Sequence, residues 1–409
     1  MKLMRITSAY PVYVDKLYVK KLINSDDDYS TQYKNFCMDC YGWADFWSRA
    51  FGELGYECWE PVGNIESMQK KWARENSIKF SEENWKLEIV LAQVKIFQPN
   101  ILLINDYYYY NFEFIKKLRS EVSSIKFVIG WCGAPYNDEK VFKAYDLVLT
   151  NLPTHYKKFT SIGLFCKLIN HAFDPIILTR MGEVTKTREF NFVGSIVKGN
   201  QFHNERNNLI ELLLKKTDLV LYSDLNPSNY NIYKIQKRKK ILKSLIRKFI
   251  PIDLRFMQNF RENLFKKFEL SDDYQSLFEN YHPEILVKKS KPGVFGLDMY
   301  RTLAKSNITL NQHIDISKNS SNNMRLYEAT GVGTCLLTDW SEDLKDKFKD
   351  DEEVVSYKSK EELLEKVSYL KKNPKILDSI AKKGQLRTLE NHTFFHRAVE
   401  IDEIIKTKV

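Results

Sequence analysis

The stretch that most constrains this chain is residues 292–339, PGVFGLDMYRTLAKSNITLNQHIDISKNSSNNMRLYEATGVGTCLLTD. Leu297, Tyr300, Leu303 and Ala304 recur at helical spacing between Gly296 and Lys305. Ile308-Thr309-Leu310 is a short β-rich run. A polar loop rich in Asn, Ser and Asp follows from His313 to Ser321. Asn322 or Asn323 is then placed to cap a short helix from Met324 to Thr330, which Gly331 and Gly333 terminate. Thr334 to Thr338 is the next buried strand. Helix, strand, loop, helix and strand in this order belong to an α/β protein with a parallel sheet.

The chemistry sits at the ends of these elements. Asn323, Arg325 and Glu328 surround one short helix just after the C-terminal end of a strand, the edge where open α/β sheets bind ligands. A helix N-terminus offers free N–H groups to a phosphate. Arg325 can add a charge-assisted contact, and Glu328 can accept two ribose hydroxyls. The pattern describes a pocket for a nucleoside diphosphate. A capped surface helix with an ordinary ion pair is the alternative.

The run FGLDMYRTLAKSNITLNQH…NNMRLYEATGVGTCLLTD resembles the glycosyltransferases grouped with the spore-maturation protein CgeB, and EATGVGTCLLTD resembles the donor-site signature of GT-B enzymes. The resemblance is strongest here and extends over most of the chain. It implies a GT-B fold: two Rossmann-like, doubly wound domains facing a cleft. It implies an acceptor-side domain at 1–174, a nucleotide-sugar-binding domain at 175–390, and a C-terminal helix at 391–409 that crosses back to the first domain. In this scheme Gly194, Ser195, Asn323, Arg325, Glu328 and Ala329 bind the donor. The chain departs from retaining GT-B enzymes at one point. Those often carry a glutamate eight positions before Glu328, where this chain has Ser320.

With 409 residues the chain is long enough for two ordinary cores. It is 43% hydrophobic and 13% aromatic, which excludes a disordered polymer. No apolar run reaches the roughly 18–20 residues of a membrane span. The N-terminal MKLMRITSAYPVYVDK lacks the apolar core of a signal peptide, so a cytoplasmic protein is expected. Cys37 and Cys40 form a C-x-x-C with no second pair to complete a zinc site, and the six cysteines read as reduced thiols.

The net charge of +10 is unevenly spread. Residues 234–267 hold twelve Lys and Arg against Asp253 and Glu262, which accounts for the whole excess. Ile241, Leu242, Leu245, Ile246, Phe249 and Ile250 give the same segment an apolar face. A basic helical insertion at about 230–280 is expected in the second domain. It reads either as a solvated insertion packed on its own domain or as a contact to an anionic membrane surface or acidic partner. Nucleic acid ranks below both, because aromatics are few there.

Along the first half, Met4 to Thr7, Tyr56 to Glu60, Ile101 to Ile104, Lys126 to Gly130 and Asp146 to Thr150 read as strands. Tyr41 to Leu54 reads as a helix. Strand ends supply the acceptor-side candidates Tyr10, Trp131 and His155, with Trp131 expected to be exposed for stacking on a sugar. Asp106, His171 and His313 are the candidate bases for the acceptor hydroxyl. Asp106 can also be a cap for the following helix, and each first-half histidine can be structural. His392 and His396 read as structural. His313 and Asp315 lack a third ligand, so no metal and no cofactor are expected beyond the nucleotide-sugar co-substrate.

The expected function is transfer of a sugar to a glycan acceptor in surface-polysaccharide or lipid-linked glycan assembly, with peripheral attachment to the inner face of the cell membrane. The alternatives are an inactive nucleotide-binding scaffold in a glycan-assembly complex and a transferase acting on protein of the flagellin or spore-coat type.

Overall fold

The computed structural model describes residues 1–136, 138–196, 204–225, 238–239, 241–246, 264–265, 284–313 and 320–409. Most of the basic insertion expected at about 230–280 lies outside the described residues.

Two six-stranded sheets carry the architecture, and every pairing in both is parallel. The first is built from β1 (Lys2–Ile6), β2 (Glu57–Trp59), β3 (Ile101–Ile104), β4 (Phe127–Trp131), β5 (Leu147–Thr150) and β6 (Cys166–Leu168). Its order is β2-β1-β3-β4-β5-β6. The second contains β7 (Phe190–Val193), β8 (Val220–Tyr222), β9 (Ser290–Lys291), β10 (Ile308–Asn311), β11 (Cys335–Asp339) and β12 (Val355–Tyr357). Its order is β12-β11-β10-β7-β8-β9. The direction of strand addition reverses between β1 and β3 in one sheet and between β7 and β10 in the other. These two switch points are where a doubly wound sheet opens a crevice.

The central strands are apolar because helices cover both sides of a parallel sheet. All of Ile101–Ile104, Leu147–Thr150 and Ile308–Asn311 is buried. Pleating sorts them by face. Phe127, Ile129 and Trp131 enter one core cluster, while Val128 and Cys132 enter another. Trp131 is therefore not an exposed stacking surface. β4 runs one residue further than the sequence suggested, and pleating turns the indole inward, where it meets Trp43 edge-on at 4.8 Å.

The helix expected at 41–54 starts late, at Phe46, and ends at Glu53. Cys40, Gly42 and Ala44 all have positive φ, and no right-handed helix can run through them. The expected helix at Gly296–Lys305 is found with Tyr300, Leu303 and Ala304 on its buried face.

The two halves touch at several places. Lys16, on the helix Pro11–Val19 after β1, pairs with Asp224 at 2.6 Å beyond the end of β8. Lys20 pairs with Asp298 at 2.7 Å. These contacts bring the C-terminal edges of the two sheets face to face. On the far side, the helix Phe394–Lys408 packs on the helix Phe46–Glu53 and adds Phe394, Ala398, Ile401 and Ile405 to the core cluster of Phe46, Trp47 and Phe51.

Candidate functional site

The second switch point gathers the residues of the 292–339 motif. β7 ends at Val193 and runs into Gly194 and the exposed Ser195. The helix Arg325–Gly331 lies beside it. Arg325 donates from Nη2 to the Val193 carbonyl at 3.1 Å, and its Nη1 pairs with Glu328 Oε2 at 2.8 Å. One guanidinium thus fixes the motif helix against the Gly194–Ser195 turn. Both side chains of the pair are largely buried, at 15% and 7% exposure. Burial raises the Glu328 pKa, and the neighbouring Arg325 cation opposes that rise.

The other two nucleotide-sugar donor candidates behave differently. Ala329 has no exposed surface and belongs to the core cluster with Leu326 and Tyr327, so it supports the helix from below and does not line the cleft. Asn323 does not cap the helix, which begins after Met324 with no side-chain cap. Its amide instead donates to Asn311 Oδ1 at 2.6 Å, tying the helix to the end of β10. Two glycines of the EATGVG run have separate physical reasons. A Cβ on Gly331 would lie 2.4 Å from the ring of Phe173 in the other half, and Gly333 ends the helix at φ +74°.

A hydrogen-bonded chain crosses between the halves. His313 Nδ1 is 2.7 Å from Asp339 Oδ1, and the Asn322 N–H donates to His313 Nε2 at 3.2 Å. A backbone N–H only donates, so Nε2 accepts and the proton sits on Nδ1. Burial acts against the charged Asp339, but its contacts with His313 outweigh this and hold the carboxyl below its ordinary pKa. Asn151, at the end of β5, donates its Nδ2 to the Asn322 carbonyl at 2.5 Å and to His171 Nε2 at 3.1 Å. The structure therefore joins two of the candidate bases, His313 and His171, through Asn322 and Asn151. Neither ring nitrogen of His313 is left for a substrate, so the expectation of His313 as a base does not fit its geometry.

His171 packs against Trp43 and Trp131, with ring centroids 5.8 and 5.3 Å away. Burial, helped by the Arg397 cation, pushes its pKa down to about 3. It is neutral near pH 7, its Nε2 accepts from Asn151, and its buried Nδ1 has no partner among the described residues. As the protonated nitrogen, Nδ1 can donate a hydrogen bond but cannot take up a proton. His155 is also committed: its Nε2 lies 3.0 Å from the Ala134 carbonyl, and burial lowers its pKa.

Asp106 marks the first switch point. Its Oδ2 accepts from Ser8 Oγ at 2.5 Å, and its Oδ1 accepts from the N–H groups of Tyr108 at 3.2 Å and Tyr109 at 3.0 Å. It ties the loop after β1 to the loop after β3. Tyr10, beside that loop, is 71% exposed and meets Tyr41 edge-on at 6.4 Å.

Asn151 and Asp339 were not singled out from sequence, and Asn322 was read only as a candidate helix cap. The signal for Asn151 was its position directly after a buried parallel strand. Among the described residues no group of three or more His, Cys, Asp or Glu could hold a metal ion, and no helix is long and apolar enough to cross a membrane.

Comparison with known proteins gives this geometry its context. Residues 259–403 match the family described as glycosyl transferase-like. No curated relative matches the sequence. The structure is similar to sucrose-phosphate synthase from Thermosynechococcus elongatus, with TM-score 0.52, 9% identity, and 100% of this chain and 98% of that one covered. It is similar to Anabaena HepE in complex with UDP, with TM-score 0.51, 10% identity and 99% of each chain covered. AviGT4, a glycosyltransferase involved in avilamycin A biosynthesis, gives TM-score 0.51 and 10% identity over 100% of this chain and 98% of that one. The two facing, doubly wound sheets are thus those of the GT-B fold, and residues 259–403, most of the second half, are similar to the glycosyl transferase-like family.

Proposed function

We propose that the chain is a glycosyltransferase that moves a sugar from a nucleotide-sugar donor to a glycan acceptor in the cleft between the sheets. The observation that carries this reading is the buried Arg325–Glu328 pair fixed against the Gly194–Ser195 turn at the second switch point. The family match over residues 259–403 supports it. HepE, which shares the fold, is seen with UDP and with UDP-glucose, so uridine nucleotides are the first donor class to try.

In this reading Glu328 accepts the ribose hydroxyls. Arg325 and Ser195 hold the diphosphate, with Asn323 tying the helix that carries Arg325 to the end of β10. Arg325 has five N–H donors, and its carbonyl and carboxylate partners leave some for a phosphate. Reaction breaks the bond from sugar C1 to the diphosphate and forms one from C1 to the acceptor oxygen. The negative charge left on the diphosphate is stabilised by the Arg325 cation and the Ser195 hydroxyl, with no reorganisation needed as it develops. In an inverting reaction the acceptor proton passes to a base. Asp106, half-buried at the first switch point, is the better candidate, because His171 presents its protonated nitrogen. A lipid-linked or surface-polysaccharide acceptor gives the basic residues 234–267 a role at an anionic membrane face.

The test is a thermal-shift series with UDP, GDP, dTDP, ADP and CMP on the wild type and on Glu328→Gln. A ligand that binds only the folded chain raises the melting temperature. One nucleotide is expected to stabilise the wild type by a few degrees and the variant much less. No shift at millimolar nucleotide overturns the donor pocket. Binding without turnover of any matching nucleotide-sugar supports the scaffold alternative.

A further inference from the structure

A second cavity, of about 270 Å³, opens in the first half at the C-terminal ends of β3 and β4. We infer that this cavity, walled by Tyr107, Tyr108, Phe112 and Tyr136, is a subsite for a sugar ring of the acceptor glycan. The inference rests on the transferase reading above.

Three observations support it. The first is the lining. A pyranose presents apolar C–H faces and hydroxyl edges, and the matching surface is aromatic walls with a charged rim. Glu113 and Lys140 supply that rim, paired with each other at 2.7 Å and both exposed. The volume lies just under the roughly 300–1,000 Å³ of pockets for drug-sized ligands, which suits one or two sugar rings. A diphosphate would need cationic donors, and Lys140, the lysine in the described lining, is paired with Glu113.

The second is rigidity. Tyr108 is 59% exposed, yet its hydroxyl donates to the Pro135 carbonyl at 2.6 Å. Tyr107 donates to the same carbonyl at 3.1 Å and lies 4.7 Å from the Tyr108 ring. The exposed Tyr108 ring, backed by the buried Tyr107 ring, is anchored before any ligand arrives, which lowers the entropic cost of stacking a sugar on it.

The third is location. The loop 132–136 links the cavity, which its Tyr136 lines, to the end of β5. On the cavity side it is held by Tyr107 and Tyr108, and the buried His155 holds the Ala134 carbonyl. On the other side Gly133 lies so close to Asn151 that a Cβ there would come within 2.6 Å of Asn151 Oδ1. The cavity therefore lies one loop away from Asn151 and its partner His171.

The test uses the whole chain and saturation-transfer NMR with glucose, galactose, N-acetylglucosamine and maltotriose as probes at millimolar concentration. At least one probe is expected to receive saturation. Tyr108→Ala and Phe112→Ala should each cut that signal at least about fivefold, while Tyr108→Phe keeps most of it. The nucleotide thermal shift is recorded on the same samples and should not change. Absence of transfer to every probe, or an equal signal in both alanine variants, overturns the subsite. If the nucleotide shift is intact in that case, the failure belongs to the subsite alone. Saturation of a sugar probe without any nucleotide shift leaves the subsite standing and removes the donor reading.

Discussion

The two switch points share a topology and differ in what their polar groups are used for. At the first, Asp106 accepts three hydrogen bonds from Ser8, Tyr108 and Tyr109, and all three shape loops. At the second, Arg325 and Glu328 form an ion pair that is almost removed from water. A buried ion pair is an uncertain gain in stability, because desolvation offsets the attraction. Its place beside Gly194 and the exposed Ser195 accords with the charged donor proposed above. The lesson is that equivalent places in two like domains need not use their polar groups alike. Here one holds a buried ion pair, and the other holds a lone carboxylate that shapes its loops and is the proposed base.

Three experiments strain this comparison. The largest effect is expected from Arg325→Ala, which strands Glu328 without a partner. It should cost about 3–5 kcal/mol in denaturant unfolding and abolish the nucleotide shift. A cost within about 0.5 kcal/mol would mean the pair is solvated and the contrast is false. Next comes pH. His392 is buried against Tyr327 and Phe348, and burial lowers its pKa from 6.5 to about 4. Between these values the unfolded chain binds a proton that the folded chain does not. The neutral histidine therefore contributes stability that is fully present above about pH 6.5 and is lost as pH falls toward 4. The full span is about 3 kcal/mol. His392→Gln should flatten the unfolding free energy over this window relative to wild type, and an unchanged slope would refute the assignment. The smallest effect is expected from Ser8→Ala, which removes one hydrogen bond to a carboxylate that keeps two others. It should cost about 1–2 kcal/mol and leave the nucleotide shift intact. Loss of nucleotide binding in Ser8→Ala would show that the first switch point also serves the donor.

Much of the fold was legible because its signals are local. Ile101–Ile104 and Gly296–Lys305 were readable to the residue from an apolar run and a helical period. The charged half of the site was legible for the same reason, since Arg325 and Glu328 sit three apart on one helix. What sequence could not show were relations across distance. The cross-cleft chain needs Asn151 to meet Asn322, far apart in the chain, and no local pattern encodes that meeting. Trp131 was misjudged by one residue of strand, and in a pleated strand one residue changes the face. His313 was attractive as a base only until both its nitrogens were seen to be in use.

The packing of the helix Phe394–Lys408 against Phe46–Glu53 bears on how the chain is made. Phe46, Trp47 and Phe51 share a core with Phe394, Ala398 and Ile401, and Tyr56 donates to Asp402 at 2.6 Å. The ribosome delivers these partners only after every strand of the second sheet, at roughly 5–20 residues per second. For most of its synthesis the first half therefore carries an open apolar seam. That half matures only once the second has been translated, which makes the nascent chain, and not the finished protein, the form most in need of a chaperone.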